Sequence, residues 1–325
     1  MRAIAEAHPN IALVKYWGKR DRRRNLPAVG SVSITLDTLH SRTEVVFDQA
    51  LDTDRVLIED VADEGAAGRI TACLDSFRRL TGRRRHARVV TGSNFPVAAG
   101  LASSASGFAA LVAAADAAAG TALPTETLAR LAGAASGSAA RSLYGGFVRL
   151  DIPRPGQEDI SLRPLAAPAD WPLEVAIAIT DAGPKPVGST PAMLASEATS
   201  PYYDAWVAGQ PADLDEAERA VTARDFERLA LVAEHSCLKM HALTLSSKPG
   251  IVYWKPATVA CLHAVRELRA AGTGTFFTVD AGPQVKAVCL PGEGARVAAA
   301  LAALPGVREV LRTGLGGTPR VAGSA

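Results

Sequence analysis

Cysteine is scarce in this chain, and its placement gives no support to a metal site or a disulfide framework. The four cysteines Cys73, Cys237, Cys261 and Cys289 lie far apart and form no C-x-x-C pair. Neither a zinc knuckle nor a disulfide-stapled scaffold is therefore expected. We expect the four thiols to be small, buried, apolar side chains.

Net charge and long apolar runs are also nearly absent. The 35 Lys and Arg residues against 33 Asp and Glu residues give a formal charge of +2, which does not favour a nucleic-acid-coating surface. The longest apolar run, 109–119, is interrupted by Asp116 and is too short to span a bilayer, and the N-terminus lacks a signal-peptide core. We predict a soluble, reduced, cytoplasmic protein with no nucleic-acid or membrane partner.

What the chain does have is apolar content and length. Hydrophobic residues make up 48% of its 325 residues and charged residues 21%, so it can bury a large core. At roughly 150 residues per domain, the length predicts about two domains. A proline-rich and acidic stretch over 151–172 interrupts the pattern and favours a boundary near 180. We predict domains at 1–180 and 181–325.

Short β-type runs and longer helical runs predict an α+β fold. In the first half, we expect strands at 32–36, 43–47 and 87–91 and helices at 101–119 and 125–135, with Pro124 in the first turn of the second helix. In the second half, we expect strands at 173–179, 275–279 and 285–290 and helices at 213–223, 225–245 and 256–271.

The segment 95–106, with the sequence FPVAAGLASSAS, joins a strand-like run to a helical run. The first N–H groups of a helix have no partner within the helix, and the helix dipole adds positive charge there, so such a junction can bind a phosphate. Ser103 and Ser104 add hydroxyl donors. An ordinary small-residue helix start packed on a sheet explains the segment equally well, since the Walker pattern and its lysine are absent.

Two further clusters carry charge beside small residues. Arg141 lies among Ser and Gly residues, where its planar fork has room to bind a carboxylate or phosphate, although a solvent-facing loop arginine is the alternative. Asp280 follows an apolar run and precedes a turn, so it suits either a ligand or a turn cap, with the cap favoured from sequence alone.

Other charged groups are less informative. The segment 10–19 sets two lysines and two aromatic residues after a strand-like run, which suits a surface rim or an anion-binding edge. The arginine runs 22–24 and 83–85 favour solvated loops. His235 and His241 lie six residues apart on a predicted helix and face different directions, so they do not form a metal pair.

Taken together, these clusters resemble the diphosphomevalonate decarboxylases of the GHMP kinase superfamily. The resemblance is carried in order by AHPNIALVKYWGKRD at 7–21, NLP at 25–27, SITLD at 33–37, AGLASS at 99–104, SGSAARS at 136–142, MHAL at 240–243 and FTVDAGP at 277–283. This ordered set extends over most of the chain.

The resemblance implies a two-domain GHMP kinase fold. Its N-terminal domain would be related to domain 2 of ribosomal protein S5, its C-terminal domain would be α+β, and the active site would lie in the cleft between them. It implies phosphorylation of the 3-hydroxyl of mevalonate 5-diphosphate by ATP with Mg²⁺, followed by loss of phosphate and CO₂ to give isopentenyl diphosphate. A homodimer is expected. Decarboxylation of the monophosphate, kinase activity without decarboxylation and a non-catalytic ligand-binding relative are the alternatives.

The resemblance also implies residue roles. The catalytic residues would be Asp280, Arg141 and Lys19. The substrate would be bound by Tyr16, Lys19, Ser136, Ser138, Arg141, Ser189, Thr190 and Met193. The nucleotide would be bound by Lys15, Gly100, Ala102, Ser103 and Ser104, and no protein residue is assigned as a metal ligand.

One segment departs from the family pattern. Where the family usually has Ser-Ser-Thr or Ser-Ser-Arg, followed by a residue, Gly and Met, this chain has GSTPAM at 188–193. Gly188 removes one hydroxyl, while Pro191 and Ala192 stiffen the loop. The choice between a diphosphate and a monophosphate substrate is therefore left open by the sequence.

Overall fold

The computed structural model describes residues 1–58, 64–95, 103–153, 159–183 and 185–322. The first sheet contains β1 (Arg2–Ala7), β6 (Ser41–Asp48), β7 (Arg55–Ile58), β8 (His86–Ser93) and β15 (Arg320–Ala322). Its strand order is β15-β1-β6-β8-β7, with only the β7–β8 pair parallel. The last described strand of the chain therefore pairs with the first one.

Two helices, α1 (Glu64–Thr81) and α2 (Ser103–Ala119), pack on this first sheet, and α3 (Thr125–Ala135) packs on both of them. Helix α2 is rich in alanine and is buried on most of its faces, because its short side chains allow close packing on β1 and β6. A short 3₁₀ helix, Ala139–Leu143, follows α3 and carries Arg141. Its five residues are all buried.

The second sheet lies next to the cleft described below. It contains β2 (Asn10–Val14), β5 (Ser31–Thr35), β9 (Phe147–Asp151) and β10 (Ser161–Ala166), in the order β10-β9-β5-β2. A small hairpin of β3 (Lys19–Asp21) and β4 (Leu26–Pro27) extends from it between β2 and β5 in the chain.

The third sheet belongs to the C-terminal half. Its strands are β11 (Glu174–Ile179), β12 (Thr275–Val279), β13 (Val285–Cys289) and β14 (Glu309–Thr313), in the antiparallel order β12-β13-β11-β14. The accompanying helices are α4 (Ser189–Thr199), α5 (Tyr203–Ala223), α6 (Phe226–Leu245), α7 (Pro256–Ala270) and α8 (Gly294–Ala302). Helix α6 packs on both β2 and β12, and so it joins the second and third sheets.

The predicted α+β class is confirmed, and each predicted strand and helix overlaps an observed one. The sequence interpretation nevertheless missed several elements: the strands β1, β3, β4, β7, β9, β14 and β15 and the helices α1, α4 and α8. It also treated 151–172 as an interruption, whereas β10 lies within it. The helix predicted at 213–223 begins ten residues earlier, at Tyr203, and continues through Pro211, although proline removes one helical hydrogen bond.

Sheet membership changes between β10 and β11, because β11 pairs with β13 and β14 rather than with strands of the first half. This change lies just before the boundary that we predicted at 180, and β15 returns to the first sheet from the other end of the chain. All four cysteines are free and buried, as predicted. Within the described ranges, no helix combines the length and the apolar character that crossing a membrane requires.

Candidate active site

A single cleft of about 1020 Å³ brings together residues from both halves of the chain. All twelve predicted site residues in the described ranges line it: Lys15, Tyr16, Lys19, Ser103, Ser104, Ser136, Ser138, Arg141, Ser189, Thr190, Met193 and Asp280. The two remaining predictions, Gly100 and Ala102, lie outside the described residues. The clusters that are far apart in the sequence thus share one cavity.

Asp280 lies between two lysines at the end of β12. Lys15 Nζ donates to Asp280 Oδ1 at 2.6 Å, and Lys286 Nζ lies 3.2 Å from Oδ2. The lysine side chains are each 1% exposed, whereas that of Asp280 is 25% exposed. Burial acts to raise the pKa of Asp280, but the two ammonium groups outweigh it and hold the pKa well below its usual range. The carboxylate is therefore ionised and open to the cleft.

Arg141 is almost fully buried and only partly satisfied. Its Nη1 donates to Ser31 Oγ at 2.6 Å, while its Nε has no hydrogen-bond partner among the described residues. The guanidinium lies 5.8 Å from the centre of the Tyr16 ring. Burial lowers its pKa to about 10, although Tyr16 and Asp280 oppose the shift. A guanidinium that is buried without a carboxylate partner has donors available for an anionic ligand.

Lys19 and Tyr16 form a third polar group. Lys19 Nζ donates to Tyr16 Oη at 2.5 Å and also to Asn25 Oδ1. Asn25 in turn donates to the carbonyl oxygens of Gly133 and Ala134 at the end of α3. Burial lowers the pKa of Lys19 to about 8. Asn25 therefore fixes a partly desolvated ammonium relative to α3.

The backbone at Gly137 lies close to the Tyr16 ring, and this close approach allows Tyr16 to lie beside Lys19. A Cβ at Gly137 would lie 2.5 Å from Tyr16 Oη, which is too short for a real contact. Only glycine leaves Tyr16 in place beside Lys19 and Arg141.

The other end of the cleft is less charged. Ser103 and Ser104 begin α2, and Ser136 Oγ donates to Ser104 Oγ at 3.3 Å. Beyond them the cleft is lined by apolar side chains that include Ile58, Val89, Phe108 and Leu111. The structure describes a helix start with two hydroxyls beside an apolar lobe, although residues 96–102 of the predicted phosphate loop lie outside the described ranges. Such a pair of features suits a nucleotide.

Comparison with known proteins assigns the chain to a family. A model described as the diphosphomevalonate decarboxylase-like N-terminal domain matches residues 7–160, and one described as the mevalonate 5-diphosphate decarboxylase C-terminal domain matches residues 175–312. Human diphosphomevalonate decarboxylase is 35% identical over 295 residues, which cover 84% of this chain and 73% of the human protein. The chain belongs to the diphosphomevalonate decarboxylase family. The resemblance found in the sequence is thereby confirmed.

Two other members of this decarboxylase family bear on the substrate and the cosubstrate. Phosphomevalonate decarboxylase of Haloferax volcanii is 35% identical over 288 residues, covering 88% of this chain and 87% of that protein. A solved structure described as MDDEF in complex with MVAPP, AMPPCP and magnesium is 32% identical with a TM-score of 0.90, covering 100% of this chain and 99% of that one. The two-domain decarboxylase architecture is confirmed by this likeness.

The segment that departs from the usual decarboxylase pattern begins α4. Gly188 precedes the helix and supplies no side-chain cap. Lys185 Nζ donates to Ser189 Oγ at 2.8 Å, and burial lowers the pKa of Lys185. Ser189, Thr190 and Met193 all face the cleft. Lys185 thus adds a cation that the sequence interpretation did not assign, beside the hydroxyls that it did.

The sequence interpretation also missed Lys286 and Ser31. Lys286 is the only basic or acidic residue in Val285–Cys289, a strand buried at every position, and a lone charge in such a strand is a detectable signal. Ser31 gave no signal, because its partner Arg141 lies 110 residues further along the chain. Lys15 was assigned to the nucleotide, whereas its ammonium contacts Asp280.

We expect Ser31→Ala to weaken substrate binding. Ser31 Oγ accepts a hydrogen bond from Arg141, and removing a hydrogen bond to a charged group should raise KM for the phosphorylated substrate about 5- to 20-fold. Ser33→Ala is the matched control, since Ser33 is equally buried in β5 and its hydroxyl has no partner in the described structure. Steady-state kinetics with both variants would test this, and an equal change in KM would contradict it.

We expect substrate affinity to fall as the pH rises above about 8, because the buried ammonium of Lys19 has its pKa lowered to about 8 and loses its charge there. Lys19→Arg supplies the test, since a guanidinium stays charged at that pH. KM measured from neutral to mildly alkaline pH should rise for the unmodified protein and stay nearly constant for Lys19→Arg. Parallel profiles would show that Lys19 does not set the pH dependence.

Proposed function

We propose that this chain catalyses the ATP-dependent decarboxylation of mevalonate 5-diphosphate to isopentenyl diphosphate, ADP, phosphate and CO₂. The observation that carries the proposal is the shared cleft, in which Asp280 and Arg141 lie with Ser103 and Ser104. An anion-binding guanidinium, an ionised carboxylate and a nucleotide-binding helix start are the groups that the reaction needs. Family membership provides independent support.

Arg141 would bind the substrate carboxylate. Its partly unsatisfied fork offers the two parallel hydrogen bonds that a carboxylate prefers. Holding the carboxylate there fixes the C–C bond that must break relative to the C–O bond at the tertiary carbon. Most of the expected catalytic contribution is therefore orientation.

Asp280 would accept a hydrogen bond from the 3-hydroxyl of the substrate. Because Lys15 and Lys286 hold its pKa well below the usual range, it is a weak base, and its contribution is to orient the hydroxyl oxygen towards the terminal phosphate of ATP. The two ammonium groups also place positive charge where phosphate oxygens gather during transfer. Ser136 and Ser138 would line the same pocket.

The reaction has two chemical steps, phosphate transfer and decarboxylation. The 3-hydroxyl oxygen bonds to the terminal phosphorus of ATP, the bond from that phosphorus to ADP breaks, and the hydroxyl proton passes by way of Asp280 to solvent. The tertiary C–O bond then breaks with phosphate as the leaving group. The electron pair of the C–C bond to the carboxylate forms the new double bond, and CO₂ is released.

The residues of the cleft fit a magnesium ion that is bound mainly by the nucleotide phosphates. Within the described part of the chain, no group of three His, Cys, Asp or Glu residues is placed to hold a metal. Mg²⁺ commonly keeps several waters and binds nucleotide phosphates with few protein ligands, and the hydroxyls of Ser103 and Ser104 are available beside the cleft. When bound, Mg²⁺ would neutralise phosphate charge.

Turnover assays would test the proposal. Purified protein with ATP, Mg²⁺ and mevalonate 5-diphosphate should release ADP and CO₂ in equal amounts. ADP without CO₂ would indicate a kinase that stops after phosphate transfer. Nucleotide binding without either product would indicate a non-catalytic relative and contradict the proposal.

Mevalonate 5-phosphate is the second candidate substrate. Gly188 provides one hydroxyl fewer at the phosphate end of the cleft, and one relative is a phosphomevalonate decarboxylase. Comparing kcat/KM for the two substrates side by side would decide between them, and we expect the diphosphate to be preferred. The cytoplasmic location, the homodimer and the domain ranges 1–180 and 181–325 stay predictions.

A further inference from the structure

The two arginine runs of the chain occupy different environments. In the run 22–24, Arg22 and Arg23 line the cleft. In the run 83–85, Arg83 donates to the carbonyl oxygen of Ala119, and none of the three arginines lines the cleft. The expectation of an ordinary solvated loop therefore suits the second run but not the first.

The β3–β4 hairpin determines where the first run points. Asp21 Oδ1 accepts hydrogen bonds from the backbone N–H groups of Arg23 and Arg24, at 2.9 and 3.0 Å, which closes the turn. Arg24 lies 3.8 Å from Asp159, away from the cleft. Arg22 lies 3.3 Å from Glu197 on α4, across the mouth of the cleft. The turn thus directs two of its three arginines to the mouth.

Arg23 differs from its neighbours in having no charged partner in the described structure. Arg22 is shared with Glu197, in an exposed pair that contributes little stability. We name Arg22 and Arg23 the arginine rim. It extends a row of cationic groups that begins with Lys19, three residues before Arg22 on the same hairpin, and faces Lys185 and the start of α4.

The position of the rim relates it to the phosphorylated end of the substrate. With the carboxylate at Arg141 and the hydroxyl at Asp280, the phosphorylated tail would extend towards Lys19 and Ser189, which line the same cleft, and then towards Arg22, which lines it too and is exposed. A second phosphate would lie further out and nearer the mouth. The second phosphate also adds negative charge, and exposed cations attract it. Added salt screens this attraction.

We propose that the arginine rim is a specificity determinant that favours the diphosphate over the monophosphate substrate. This inference rests on the proposed function, since it names the substrate preference of the same cleft. The rim contributes binding of the outer phosphate and takes no part in the chemical steps. Its effect should therefore appear in substrate affinity and should weaken as salt is added.

Titration calorimetry of the full chain with each substrate, without ATP, would test the rim independently of turnover. We expect Arg23→Gln to weaken mevalonate 5-diphosphate binding about 3- to 10-fold at low salt and to change monophosphate binding less than twofold. The loss should shrink when the ionic strength is raised to about 0.5 M. Arg22→Gln should act in the same direction with a smaller loss, because Glu197 already shares that guanidinium.

Arg84→Gln is the matched control, because it removes an exposed arginine of the second run and should leave both affinities unchanged. Equal losses for both substrates, or a loss no larger than that of Arg84→Gln, would overturn the proposal. If the unmodified chain bound the diphosphate but released no CO₂, the decarboxylase assignment would fail, whereas the affinity ratio would still report on the rim.

Discussion

Asp280→Asn should lower kcat about 10²- to 10⁴-fold with mevalonate 5-diphosphate and leave ATP affinity nearly unchanged. An amide in place of the carboxylate removes the anion that orients the 3-hydroxyl, and its NH₂ group would face Lys15 or Lys286. The nucleotide end of the cleft, at Ser103 and Ser104, is untouched. Single-turnover release of ADP and calorimetric binding of ATP would measure the two effects separately.

The same substitution leaves two buried ammonium groups without their shared carboxylate. Because Lys15 and Lys286 are each 1% exposed, we also expect a lower melting temperature, and ATP binding by the variant would show that it is still folded. Asp181→Asn is the matched control, because Asp181 also follows a strand of the third sheet and pairs with a lysine, Lys255 at 3.3 Å. It lies outside the cleft and should keep normal turnover. Normal turnover by Asp280→Asn would refute the assignment.

Arg141→Gln should lower kcat/KM about 10²- to 10³-fold, because it removes the guanidinium fork that would hold the substrate carboxylate. Arg141→Lys should recover only part of the loss, since an ammonium provides charge without the paired hydrogen bonds. Initial rates over a range of mevalonate 5-diphosphate concentrations would measure both variants.

Arg149→Gln is the control for Arg141→Gln, because it removes a mostly buried arginine that forms ion pairs but does not line the cleft. Arg149 binds Asp151, Asp215 and Glu218 between β9 and α5, outside the cleft. This variant should lower the melting temperature and leave KM close to normal. If Arg149→Gln and Arg141→Gln raised KM equally, the effect of Arg141 would be structural and the carboxylate-binding role would be wrong.

Local sequence patterns predicted a helix or strand correctly where the tertiary structure does not override them. The run 125–135 has a proline at its start and ends before Ser136, and α3 has those bounds. The helix predicted at 213–223 lacks the first part of α5, which contains Pro211, because a proline inside a helix is not expected from local pattern, although the packed helix accommodates it. Strand β10 was missed because its proline resembles a break, yet pairing with β9 supplies the hydrogen bonds of the strand.

The sequence predicted the individual residues of the candidate site but not the contacts between them. The motifs identified Asp280, Arg141 and Lys15 individually, whereas the contact of Lys15 with Asp280 spans 265 residues and is made only by folding. Lys286, Ser31 and Asn25 act on the predicted residues from other strands or turns. No sequence spacing identifies such supporting residues, because the topology of the fold determines which strands and turns lie next to each other.

A crystal structure with mevalonate 5-diphosphate and a non-hydrolysable ATP analogue tests the central claim most directly. The substrate carboxylate should make two hydrogen bonds with the Arg141 guanidinium, and the 3-hydroxyl should lie about 3 Å from a carboxylate oxygen of Asp280, facing the terminal phosphate of the analogue. A substrate bound with its carboxylate away from Arg141, or with its hydroxyl out of reach of Asp280, would contradict the account.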